Sequence, residues 1–190
     1  MNATVFCDVV DPWSYIGSTR FERAAAMFTI LTGETVDIGY RAAHSEAFAD
    51  HDRAVAAGRI SGIDLNLHDR VAADSTDAWR MLTWASETGD ATQRDLLHQL
   101  WRAHFLEGAD VADDLVLASR AALAGLPLPT AEALLASTDY VADVERQRST
   151  AAEIGATDLP FIVIDGDRTL SGLLSQDDYL QALHQIHRGP

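Results

Sequence analysis

The sequence predicts an α/β fold in which a strand, a helix and a second strand open the chain, two strands and a helix close it, and a long helical stretch lies between. Three observations predict it. The β-rich run Thr4-Val-Phe-Cys-Asp-Val-Val10 is followed by a helical pattern over about 13–31 and by a second β-rich run from Thr35 to Arg41. From 75 to 154 nearly everything reads as helix, with apolar residues three and four apart. The chain then returns to β-rich segments at 161–165 and 169–171 before a last helical pattern.

In the first strand Val5, Cys7 and Val9 share one face, so Cys7 is expected in the core. Nothing nearby in sequence would lower its pKa, and a small apolar core side chain is the reading adopted over a reactive thiol. Asp11-Pro12 makes a strong helix start, because aspartate is among the best N-caps and proline is favoured at the first helical position. Gly33, behind Thr32, stands where a glycine ends a helix. The second strand follows directly, and a strand, helix, strand unit implies a right-handed connection and parallel strands.

Between Ala42 and about Asp74 the pattern is irregular. His44, Glu46, Asp50, His51 and Asp52 crowd into one polar stretch, but their spacing matches no metal-ligand motif. A solvated acidic loop is the simpler reading, and no metal is expected. The helical stretch breaks at Gly89-Asp90, at 108–110 and at 125–129. Leu96, Leu97, Leu100, Trp101 and Phe105 fall at core spacing, and Trp79, Trp84 and Trp101 are read first as packing. Phe161-Ile-Val-Ile-Asp165, the turn at Gly166-Asp167 and Thr169-Leu-Ser171 form a closing pair of strands. Ser175 with Asp178 resembles the capped start of a final helix reaching about His187. The expected organisation is one α/β domain built from 1–60 and 156–190, with a helical insertion over 61–155.

Composition narrows the function classes. At 190 residues and 47% apolar content the chain can bury one good core. The first ten residues lack a basic start and a sustained apolar region, and no segment approaches the roughly 18 apolar residues of a membrane span, so a soluble cytoplasmic protein is expected. A net charge of -15, from 14 basic and 29 acidic residues, would repel phosphate backbones and anionic membrane surfaces. Neither nucleic acid nor membrane is expected as a partner.

The residues that draw attention are Asp11-Pro12-Trp13-Ser14, at the junction of the first strand and helix. Asp11 has two readings. One is the helix cap alone, worth about 1 kcal/mol over alanine. The other is a fixed carboxylate beside the Ser14 hydroxyl, held ionised by the helix dipole and better suited to binding a cation or amine than to general-base work. Ser14 could donate a hydrogen bond to a ligand sulfur or bond the helix backbone. Trp13 could wall a site or pack against the insertion.

These residues also carry a resemblance. The order of elements resembles a thioredoxin fold with a helical insertion. Asp8-Val-Val-Asp-Pro-Trp-Ser-Tyr-Ile-Gly17 is similar to the active-site segment of the DsbA family, most closely of its FrnE-type branch, which usually reads Cys-Pro-Trp-Cys-Tyr-Ile-Gly. Asp77-Ala-Trp-Arg-Met-Leu-Thr-Trp-Ala85 resembles that branch's insertion helix, His104-Phe-Leu-Glu-Gly108 the end of its next helix, and Gly155-Ala-Thr-Asp-Leu-Pro-Phe-Ile-Val-Ile164 its Gly-Val-x-x-Val-Pro-Phe segment. The similarity spans nearly the whole chain.

The departures fall at the site. Asp11 stands on the attacking cysteine, Ser14 on the resolving one, and Trp79 where the branch commonly has histidine. Dithiol exchange needs a thiolate to attack and a second sulfur to resolve the mixed disulfide. A carboxylate and a hydroxyl supply neither, and with Cys7 as the sole cysteine no intramolecular disulfide can form. Pro160, preceded by Leu159, resembles the cis-proline loop that faces the motif, where a peptide or glutathione-like backbone can pair. The resemblance therefore implies binding residues Pro12, Trp13, Leu159, Pro160 and Trp79, with Asp11 and Ser14 as the candidates for any catalysis.

A second resemblance, more distant, is to kappa-class glutathione transferases and 2-hydroxychromene-2-carboxylate isomerases, which are similar to Ser-Pro-Tyr-Ser here and use a bound thiol. It implies glutathione or another low-molecular-weight thiol as cofactor; the first resemblance requires none. Asp11 falls on the working serine of that class, where a carboxylate would repel a thiolate. Three functions stand: a redox-degenerate binder of a thiol conjugate, small metabolite or peptide; a thiol-dependent transferase or isomerase acting through Ser14; and a non-catalytic partner or chaperone-like protein. The resemblance also implies a homodimer, though no sequence feature marks an interface.

Overall fold

Alternation at the start of the chain makes a central strand covered on both faces. β1 (Asn2–Cys7) turns Val5 and Cys7 into the main core with Ile162 and Ile164, and turns Phe6 toward a smaller cluster with Ala43, Ala151, Ala156, Leu159 and Phe161. It pairs in parallel with β2 (Asp37–Ala42) and antiparallel with β3 (Phe161–Ile164), which pairs antiparallel with β4 (Arg168–Ser171). The sheet order is β2-β1-β3-β4. The computed structural model describes residues 1–45, 50–68 and 71–189.

The helices are α1 (Pro12–Thr32), α2 (His51–Ile60), α3 (Thr76–Thr88), α4 (Asp90–Phe105), α5 (Asp114–Leu123), α6 (Leu128–Leu135), α7 (Val141–Glu153) and α8 (Gln176–Arg188). This is the α/β thioredoxin-like architecture with a helical insertion that the sequence predicts. α1 and α8 pack together, Phe21 meeting Tyr179 edge-on at 5.5 Å between ring centroids. The insertion helices cover the edge strand β2. Gln93 of α4 accepts from the Tyr40 amide at 2.9 Å and donates to the Tyr40 carbonyl at 3.0 Å, and Gln147 of α7 accepts from the Ala42 amide at 2.8 Å. Backbone groups that would otherwise template a foreign strand are thus occupied.

Several boundaries differ from the sequence reading. β1 ends at Cys7, because the carboxylate of Asp8 is engaged by Ser45 and the chain turns there. α2 occupies part of the stretch read as irregular. It buries only Ala54 and Gly58, so it has no apolar stripe to reveal it, and its start is marked by Asp50 accepting from the Arg53 amide. Within the polar cluster weighed for metal binding, Glu46 lies outside the described residues. Pro129 sits in the first turn of α6 instead of in the preceding break, where a missing amide hydrogen costs nothing. A further break separates α6 from α7, with Tyr140 in the left-handed region at φ 64°.

Candidate functional site

Strand register brings the candidate residues together. β1 and β2 run parallel and end side by side, Cys7 opposite Ala42, and β3 starts beside the end of β1, Phe161 opposite Phe6. The start of α1, the loop after β2 and the Leu159-Pro160 segment therefore meet at one end of the sheet, where open α/β sheets commonly bind ligands. The Leu159–Pro160 peptide bond is cis. Gly17 seats this segment: a Cβ built on it would lie 2.5 Å from Cδ and 2.6 Å from Cγ of Pro160.

Asp11 caps α1 with both carboxylate oxygens. Oδ2 accepts from the Ser14 amide at 2.7 Å and Oδ1 from the Trp13 amide at 3.3 Å. The Ser14 hydroxyl donates to Asp11 Oδ2 at 2.7 Å and accepts from the Asp8 amide at 3.1 Å. Ser14 is fully buried and its proton is committed to Asp11, so no hydroxyl at this helix start faces a ligand. Burial pushes the Asp11 carboxyl up to about 6 against the opposing pull of these hydrogen bonds, with the neighbouring Asp8 adding to the rise. The expectation that the helix dipole sets this group is thus corrected: desolvation is the larger influence.

Asp8, buried beneath, accepts from the Ser45 hydroxyl at 2.8 Å and amide at 3.2 Å through Oδ2, while its Oδ1 has no partner. Cys7 is fully buried, and burial together with Asp8, Asp11 and Glu22 raises its thiol well above the ordinary range. An aromatic stack backs the site from the insertion. Tyr15 lies 5.0 Å from Trp101 and 6.0 Å from Phe105 between ring centroids.

A groove of about 720 Å³ opens beside this start. Asp11, Trp13 and Leu159 line it from the α/β part, with Ala151, Ala152 and Arg148 of α7, Arg53 of α2, and His44, Ser45 and Asp158 from loops. The Arg53 guanidinium lies over the Trp13 ring, 5.3 Å from its centroid. Of the residues expected to bind, Trp13 and Leu159 line the groove, Pro160 adjoins it behind Leu159, and Pro12 is buried as the first residue of α1. Trp79 is fully buried in the core and is not among the lining residues. The sequence reading missed Arg53, Arg148 and Asp158. Arg148 and Asp158 carry no local signal, and Arg53 lies in a helix without an apolar stripe.

Among the described residues no group of three or more histidine, cysteine or acidic side chains is arranged to hold a metal, and no helix is long and apolar enough to cross a membrane.

The chain is similar throughout to proteins of known structure. A probable DsbA oxidoreductase from Streptomyces coelicolor matches with a TM-score of 0.86 and 26% identity, over 100% of this chain and 91% of the other. The cytosolic disulfide reductase DsbM of Pseudomonas aeruginosa matches with a TM-score of 0.73 and 19% identity, over 99% of both chains. A 2-hydroxychromene-2-carboxylate isomerase matches with a TM-score of 0.76 and 15% identity, over 99% of this chain and 95% of the other. The last two likenesses are likenesses of fold. No curated protein matches the chain. The DSBA-like thioredoxin domain profile matches residues 3–184, and the chain belongs to that family.

Proposed function

We propose that this protein is a redox-degenerate member of the DsbA family that binds a thiol conjugate, small metabolite or peptide in the groove between residues 11–14 and Leu159-Pro160, and does not itself carry out dithiol exchange. The observation that carries this reading is the combination at one sheet end. The groove is open and walled by Trp13 and Leu159, while the positions of the two sulfurs hold a closed Asp11–Ser14 pair. Cys7 cannot substitute, being buried behind that pair with its thiol held protonated.

The transferase or isomerase reading has less support. It needs a donor aimed at a ligand thiolate, and Ser14 donates to Asp11 from a fully buried position. The Asp11 carboxylate, which does line the groove, would repel a thiolate at neutral pH. The residues present therefore do not fit a thiolate cofactor such as reduced glutathione, whereas a thioether conjugate meets no such repulsion.

The test is thermal stabilisation across a panel of low-molecular-weight thiols, their S-conjugates and short peptides. A ligand at 100 times its dissociation constant adds about 2.7 kcal/mol, which is readily seen. The reading predicts a shift with conjugates or peptides that Ala152→Trp, filling the groove, abolishes. A shift confined to free thiols and lost in Ser14→Ala would favour the transferase, and no shift with any member would leave the partner-protein reading.

A further inference from the structure

We infer, resting on that binding reading, that the groove selects a small organic monoacid, its carboxylate held by Arg53 and Arg148 and its apolar body laid along Trp13, Leu159 and the alanines of α7. Arg53 and Arg148 are the two arginines that line the groove. Arg59, Arg94, Arg102, Arg120, Arg146 and Arg168 each pair with a carboxylate. Arg53 has no ion pair among the described residues, and its guanidinium rests on the Trp13 ring at the groove.

Arg148 is a buried cation that is incompletely neutralised. Its side chain is 8% exposed, and its nearest partners are the hydroxyls of Thr76 at 3.0 Å and Ser75 at 3.3 Å. Glu145, the carboxylate paired with it at 3.3 Å, is 63% exposed and therefore well screened, Asp74 interacts with it across a longer distance, and its Nε has no partner. A guanidinium taken out of water favours any site arrangement that brings an anion to it.

The charge balance selects the class of ligand. The groove is lined by two arginines and by Asp11 and Asp158. Asp11 and Asp158 offset the two guanidiniums, and the Asp11 oxygens are already met by the Trp13 and Ser14 amides and the Ser14 hydroxyl. No surplus positive charge remains for a dianionic phosphate, whereas the Arg53 guanidinium and the unpartnered Arg148 Nε offer donors that suit one carboxylate. The other lining residues, Trp13, Ala151, Ala152, Ala156 and Leu159, are apolar and suit a flat or aliphatic body.

The experiment is calorimetric titration of the full chain at neutral pH with 2-naphthoate and with its neutral isostere 2-naphthamide. The inference predicts that naphthoate binds at least about tenfold tighter, the advantage of a charge-assisted hydrogen-bonded pair. Arg53→Gln should remove most of that difference, and Arg148→Lys, which keeps a cation but not the guanidinium fork, should reduce it. Arg146→Gln, on the opposite side of α7 in a separate pocket with Arg41, should leave it intact. Equal binding of acid and amide, or a preference that survives both Arg53→Gln and Arg148→Lys, would overturn the anion site while leaving the groove a binder. Failure of both probes to bind, with the panel of conjugates also inert, would overturn the two readings together.

Discussion

The Ser14 hydroxyl donates to Asp11 Oδ2 at 2.7 Å while it accepts from the Asp8 amide at 3.1 Å. The positions that would hold two sulfurs in the DsbA-type motif here hold a local hydrogen-bonded unit that fastens the end of β1 to the start of α1. It secures the wall of the groove that Asp11 and Trp13 line.

Ser14→Ala should therefore act on stability before it acts on binding. It leaves the buried Asp8 amide without an acceptor, at a cost of about 1–3 kcal/mol in denaturant unfolding. It also removes a hydrogen bond that holds the Asp11 carboxyl down, so that group should titrate still higher. Carboxyl titration by NMR reads the second effect directly.

Asp11 makes stability fall as pH rises. Unfolded, its carboxyl titrates near the ordinary 3.8, and folded near 6. The folded state holds the extra proton between these values, so the contribution is full below the unfolded pKa and is lost as pH climbs through the folded one. The span corresponds to about 3 kcal/mol. Asp11→Asn does not titrate, so its stability relative to the unsubstituted protein should improve by about that amount between roughly pH 4 and roughly pH 7. Parallel chemical denaturation at the two pH values tests this; a constant difference would show that Asp11 is not desolvated as described.

Cys7 should be inert in the native protein. Fully buried and with its thiol raised by burial and three nearby acids, it should take up no alkylating or disulfide reagent at mildly alkaline pH. After denaturation in guanidinium one equivalent should react, as mass spectrometry will show.

Gly17 should tolerate no methyl group. Alanine in a helix ordinarily gains about 1 kcal/mol over glycine. Here its Cβ would meet the Pro160 ring at 2.5 Å, and overpacking against a rigid ring costs about 1–3 kcal/mol or more. Gly17→Ala should thus lower stability and weaken any ligand bound against Leu159, both measurable in one thermal-shift series.

The elements that alternate or repeat their apolar residues were legible from sequence: β1, α1, β3 and the long helices α3 and α4 carry their burial pattern in the chain. The helix start at Asp11-Pro12, which resembles a known motif, was legible too, and the strand register brings it to the Leu159-Pro160 segment. The groove's other wall was not. Arg53 belongs to α2, whose ten residues bury only two, and Arg148 reads as one more polar position on α7. Both reach the site only through the docking of separate helices, which leaves no local trace. The height of the Asp11 titration was equally hidden, since a capping aspartate on an exposed helix would show the opposite shift.

The central claim is that the scaffold and groove persist while the dithiol chemistry is gone. Reduction of insulin disulfides in the presence of dithiothreitol, followed for the unsubstituted protein and for D11C/S14C side by side, tests it most directly. The account predicts background rate for the unsubstituted protein and a rate at least about tenfold above it for the double variant. Turnover by the unsubstituted protein, or a folded double variant that stays at background, would contradict it.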